Sequence, residues 1–203
     1  MTLRTPTTEA SYLLEEKGSR FIAALIPITE ESAVRNYQQA LKQQHPKASH
    51  VCYGWRVMGS EKRPLEGFSD DGEPSGTAGM PILRQLQHAG AINTVILITR
   101  YFGGTKLGTG GLQRAYGQAA GQALQAINET NWEIWLPQQA LILTAPFQRE
   151  ADVRRLISQA GGHITGVDYT LSGLALGCQL AEADVPALAA SLPFDVTMKE
   201  ASL

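Results

Sequence analysis

The chain has 203 residues, 43% of them apolar, with 17 Lys and Arg against 19 Asp and Glu, a formal charge of -2. That apolar share builds a core and excludes a wholly disordered chain, and the length suits one large domain or two small ones. Near-balanced charge excludes nucleic-acid binding by bulk charge alone, while a local basic patch stays open.

Residues 10 to 28 hold two apolar stretches around Glu15-Glu16-Lys17-Gly18, which predicts a hairpin whose second strand, RFIAALIPI, is buried. Thr29 is expected to open a helix, with Glu30 and Glu31 near its positive end and Ala33, Val34, Tyr37 and Leu41 as its apolar stripe. It must stop near His45, before Pro46. Residues 49–58, SHVCYGWRVM, read as a strand, and Gly59 to about Ser75 as a polar loop. A helix is expected from Thr77 to His88, with Pro81 tolerated in the first turn, where N–H groups lack helical partners anyway. Asn93 to Phe102 carries the strongest strand signal, with Val95 to Ile98 unbroken apolar. The next helix is expected from Thr109 to Asn128. Its stripe of Leu112, Ala115, Tyr116, Ala119 and Ala123 is mostly small, so it can lie close against a sheet.

Composition changes near Pro137, which sets a boundary between residues 1–136 and 137–203. Before it fall 13 basic and 12 acidic residues, after it 4 and 7. The second part reads as strand 138–145, helix 149–160, strands 163–170 and 173–181, helix 184–191 and strand 194–200. That βαββαβ order is the ferredoxin-like plait. Strand 173–181, GLALGCQLA, has no aromatic residue on which to stack a base.

Two loops hold the chemistry: SDDGEPSGTAG, Ser69 to Gly79, and RYFGGTKLGTGG, Arg100 to Gly111. In the second, Gly103, Gly104, Gly108, Gly110 and Gly111 permit positive φ and let backbone N–H groups converge on an anion. The following helix N-terminus adds its dipole, and Arg100, Lys106 and Arg114 add charge. It is not a Walker A loop, because Lys106 precedes Gly108. It is not a dinucleotide fingerprint either, because Gln113 stands where the third glycine would be. The bland alternative is a glycine-lined turn between a strand and a close-packed helix.

In the acidic loop, Asp70, Asp71 and Glu73 have the chemistry to hold a divalent cation, but the EF-hand spacing is absent. General acid–base work would need a partner base that the sequence does not supply. Two plainer roles compete: favourable charge before the helix at Thr77, or pairing with Arg100, Lys106 or Arg114. Strand alternation groups Arg100 with Ile96, Ile98 and Phe102. A charge there is costly if buried alone, so it is expected to meet the acidic loop.

The histidines His45, His50, His88 and His163 lack metal spacing, and no G-x-S-x-G elbow anchors a hydrolase triad. Cys52 and Cys178 make neither a disulfide framework nor a four-ligand zinc site and read as small buried residues. No cofactor or metal is expected. No apolar run approaches the roughly 18 residues of a membrane span, and MTLRTPTTEA lacks the core of a secretory signal. The cytoplasm is the expected compartment.

SDDGEPSGTAGMPIL, Ser69 to Leu83, with VILITRYFGGTKLGTGGLQRAYGQAA, Val95 to Ala120, strongly resembles the signature of the IMPACT family, above all its bacterial, YigZ-type members. KGSRF, Lys17 to Phe21, and KASH, Lys47 to His50, fit the same pattern. The resemblance covers roughly residues 1 to 136. It implies an α+β protein: an N-terminal two-layer α/β domain resembling the second domain of a small-subunit ribosomal protein, and a C-terminal plait resembling one in elongation factor G. It also implies a link to regulation of translation and the stress response. The family's eukaryotic members restrain a stress-activated translation kinase by competing for its activator, with an extra N-terminal domain making part of that contact; no such domain is expected here, so that role is not carried over.

These readings together point to a non-enzymatic, cytoplasmic protein that binds RNA or the ribosome, with a monomer expected. Arg100, Lys106 and Arg114 are the expected contacts, with Arg56, Lys62 and Arg63 as outer phosphate contacts. Asp70, Asp71 and Glu73 would shape the groove. The alternatives are an adaptor docking a translation factor, and a phosphate-handling enzyme of the galactokinase type, of which LGTGGLQRA is a loose echo.

Overall fold

The computed structural model describes residues 2–201. A short first strand, β1 (Arg4–Pro6), precedes the expected hairpin of β2 (Ala10–Glu16) and β3 (Ser19–Pro27). Lys17 and Gly18 at its tip both have positive φ, the geometry that matches the right-handed twist of paired strands. Then follow α1 (Ser32–Gln44), β4 (His50–Met58), β5 (Pro64–Ser69), α2 (Gly79–His88), β6 (Thr94–Tyr101), α3 (Gly108–Gln125) and β7 (Trp132–Ile134).

Five strands form one antiparallel sheet in the order β2-β3-β6-β4-β5. The apolar run of β6 has a direct cause, since both faces of this central strand are covered. Ile96 and Ile98 pack with Ala115, Tyr116 and Ala119 of α3 and Ile82 and Leu86 of α2. Val95 and Leu97 point the other way, to Val34 of α1. The sheet with α2 and α3 is the two-layer unit, and α1 covers part of the far face. Each fully buried aliphatic side chain contributes about 1.5–3 kcal/mol. Close packing also dictates Gly54 in β4: a Cβ there would lie 2.7 Å from the backbone nitrogen of Leu83 in α2.

The stretch from Gly59 to Ser75, expected as loop, contains β5. It lies at the sheet edge and is mostly exposed, so no buried alternation marks it, and Pro64 and Gly67 disguise it further. The β1–β7 ribbon leaves no signal in the sequence either, since three-residue strands carry no period.

The chain divides into two compact units, one ending at Trp135 and the other beginning at Leu136. The second contains β8 (Gln138–Ala145), α4 (Glu150–Gln159), β9 (His163–Tyr169), β10 (Leu174–Ala181), α5 (Val185–Ser191) and β11 (Thr197–Glu200). Its antiparallel sheet runs β11-β8-β10-β9, the plait order. It has its own core, with Leu143, Leu176, Val153, Ile157 and Leu188 among its members. Among the described residues no helix is long and apolar enough to cross a membrane.

Candidate functional site

Arg100 ends the buried run of β6 and is 6% exposed. Its Nη1 donates to Glu73 Oε1 at 2.5 Å. The guanidinium also lies over two rings, 5.4 Å from Phe21 and 5.8 Å from Phe102. Its Nε–H is buried without a hydrogen-bond acceptor, and the electron-rich ring faces partly compensate that loss.

Glu73 Oε1 also accepts from the hydroxyl of Tyr116 at 2.8 Å. Tyr116 is fully buried on α3 and stands edge-on to Phe21. Its oxygen lies 3.3 Å from the Cys52 sulfur, whose thiol also has the Asp70 carbonyl in reach at 3.0 Å. Burial pushes the Cys52 thiol up to about 12, with the carboxylates of Glu73, Asp71 and Asp70 adding to the effect. Burial first, then Cys52 and Glu73, push the Tyr116 phenol up as well. Both groups stay protonated near neutral pH, so the cluster holds no ready nucleophile.

Every carboxylate of the acidic loop has structural work. Asp70 caps the start of α2, with Oδ1 accepting from the N–H groups of Ala78 and Gly79 and Oδ2 from that of Gly76. Asp71 accepts from the N–H of Val51 at 2.7 Å and pairs with Lys42 of α1. Glu73 joins β6 to α3 through Arg100 and Tyr116. His50 Nδ1 lies 2.8 Å from the Asp71 carbonyl; that oxygen only accepts, so Nδ1 carries a proton. The other ring nitrogen of His50 lies 3.9 Å from Glu73 Oε1. Among the described residues no group of three or more His, Cys, Asp or Glu is arranged to hold a metal ion.

The glycine-rich loop divides by residue. Gly103 is a packing residue: a Cβ on it would fall 1.8 Å from the Gly18 backbone, and its N–H donates to Ser19 Oγ. Gly104 and Gly108 have positive φ with open space around them, and Gly111 lies close to Leu107. The helix that follows has no acidic residue in its first turn and no side-chain cap. Arg114 Nη1 lies 3.6 Å from where a Cβ of Gly110 would be, which places its guanidinium beside that first turn. Lys106 and Arg114 are exposed and make no ion pair among the described residues. The start of α3 also meets the acidic loop where Gln113 Nε2 approaches the Gly76 carbonyl at 3.4 Å.

Two expected contacts are corrected. Arg100 is enclosed by Glu73, Phe21 and Phe102 and does not face a ligand. Arg56 is 7% exposed, because strand alternation turns it to the α2 face with Cys52 and Gly54. There it donates to Glu66 at 2.7 Å and to the Ala91 carbonyl at 2.8 Å. Lys62 and Arg63 lie exposed in the turn between β4 and β5. Tyr116, read from the sequence as a core residue only, is the hub of the buried network. Its one signal was a hydroxyl on an alanine-rich face, which needs a partner when buried.

Residues 17–124, from the hairpin tip to the last turn of α3, match the Impact N-terminal domain. Over 164 residues the chain is 34% identical to the IMPACT family member YigZ of Escherichia coli (strain K12), covering 81% of this chain and 79% of that protein. It is 44% identical over 109 residues to the IMPACT family member YvyE of Bacillus subtilis (strain 168), covering 54% and 49%. A solved structure described as that of a hypothetical protein superposes with a TM-score of 0.75 at 31% identity, covering 100% of this chain and 98% of that one. The chain belongs to the IMPACT family, as a YigZ-type member.

Proposed function

We propose that this protein is a non-enzymatic, cytoplasmic RNA- or ribosome-binding protein that regulates translation. The observation that carries the reading is the pair of unpaired cations, Lys106 and Arg114, at the uncapped start of an 18-residue helix. Exposed Phe102 adds an aromatic face at the root of the same loop. Phosphates suit such a helix start and such cations, and a base can stack on the ring. Lys62 and Arg63 serve as outer contacts. Family membership supports the link to translation. A binding role is favoured over a catalytic one because the titratable cluster of Cys52, Tyr116, Glu73 and Arg100 is buried and internally paired.

The test is fluorescence anisotropy of the full chain with labelled single-stranded RNA across a salt series. Lys106→Ala and Arg114→Ala should each weaken binding and flatten the salt slope by about 0.7. Absence of affinity for RNA and for purified ribosomes, or affinity unchanged in both variants, would sink the reading.

A further inference from the structure

We infer that the open edge of β5, with the groove between it and the start of α1, takes an extended peptide carrying an acidic side chain. This does not rest on the RNA reading; it concerns other residues. Among the described residues β5 is the last strand of its sheet and pairs only with β4, so its outer backbone groups have no sheet partner there. Natural proteins blunt such edges with proline, lysine or a bulge. Pro64 blunts only the first residue of β5, and Glu66 is held by Arg56 and Gln87. From Leu65 to Ser69 there is no proline or lysine, and the register with β4 is unbroken. Leu65 is 51% exposed, so the edge invites strand addition.

Beside it lies a groove of about 540 Å³, within the size range of ligand clefts. Val34 and Arg35 of α1 form one wall, and Tyr53 and Trp55 of β4 with Gly67 of β5 form the floor. Trp55 and Gly67 are register partners and share a face. The indole lies where a side chain at residue 67 would be, 2.6 Å from its Cβ position. Tyr53 and Trp55 are partly exposed, and neither the phenol O–H nor the indole N–H has a hydrogen-bond partner among the described residues. Both are donors suited to the carbonyls of an extended chain.

Arg35 is exposed and makes no ion pair among the described residues. A guanidinium binds a carboxylate with two parallel hydrogen bonds. Glu31 borders the same groove. Arg35 can hold one carboxylate by its two parallel N–H groups, while Glu31 leaves the groove with no net positive charge for a run of phosphates, which favours a peptide over a nucleic acid. Backbone pairing to β5 would supply affinity, and the groove would select the side chain that enters it.

A phage library of random decapeptides panned on the full chain tests this, with selected peptides resynthesised and titrated by calorimetry. Expected are peptides with alternating apolar residues, no interior proline, and an Asp or Glu. N-methylation of alternate amides along one peptide edge should weaken binding at least tenfold, as should Arg35→Glu, while Arg35→Lys recovers part of the loss. Trp55→Phe, which keeps a ring but loses the N–H, should weaken it severalfold with the fold intact by circular dichroism. No enrichment above background would overturn the proposal. So would peptides that tolerate both N-methylation and Arg35→Glu, or RNA binding that is lost on Arg35→Glu.

Discussion

Arg100 and Glu73, 27 residues apart in the chain, meet as a buried ion pair in which one carboxylate oxygen also holds the Tyr116 hydroxyl. Their side chains are 7% and 3% exposed, so water cannot take over for a lost partner. Arg100→Ala or Glu73→Ala should each cost about 3–5 kcal/mol, because either change strands a buried charge. The double variant should lose less than the two costs combined. Urea denaturation of all three variants measures this. Additive losses would mean that the two charges do not act as a pair.

Cys52 sets an alkaline limit. Its thiol ionises near 9.0 when free and at about 12 in the fold. Between these values the unfolded chain has released the proton and the native chain has kept it. The unfolded state then binds fewer protons, so stability falls as pH rises from about 9 toward 12. Urea midpoints across this range should fall more steeply for the wild type than for Cys52→Ala. At pH 8 a thiol reagent should label Cys52 only as fast as the structure opens.

Gly103 and Gly104 are neighbours with different reasons to be glycine. A Cβ on Gly103 collides with the Gly18 backbone, whereas Gly104 has open space and a φ of 86°. Gly103→Ala forces the hairpin and the loop apart and should cost about 3 kcal/mol or more. Gly104→Ala meets only backbone strain of about 1–2 kcal/mol. Thermal melts of the two variants should rank in that order.

Lys106 separates binding from folding. Lys106→Ala should change stability by no more than about 0.5 kcal/mol, as exposed changes away from buried features do, while RNA affinity falls. Arg56→Ala should show the reverse priority, a loss of about 1–3 kcal/mol from leaving the buried Ala91 and Leu86 carbonyls without their donor. Early melting of Lys106→Ala with unchanged binding would reduce the glycine-rich loop to a connection.

The elements with a strong period were legible in the sequence. β6 was visible as an apolar run because both its faces are covered, α3 as a small-residue stripe because it lies against the sheet, and the plait through its order of elements. The contact between the two loops could also be reasoned out, since a charge among Ile96, Ile98 and Phe102 needs a counter-charge. Tertiary structure decided the rest. β5 has no buried face to impose alternation, and β1 and β7 are too short for a period, so only their partners make them strands. Arg56 and Lys106 look alike as letters. One is turned by strand alternation toward carbonyls some 30 residues away, and the other projects from a loop. Charge belongs to the residue, but burial belongs to what surrounds it, and those neighbours are assembled only by folding. The choice of Glu73 over Asp70 and Asp71 as the partner of Arg100 was settled the same way, by a turn that commits the two aspartates to backbone N–H groups first.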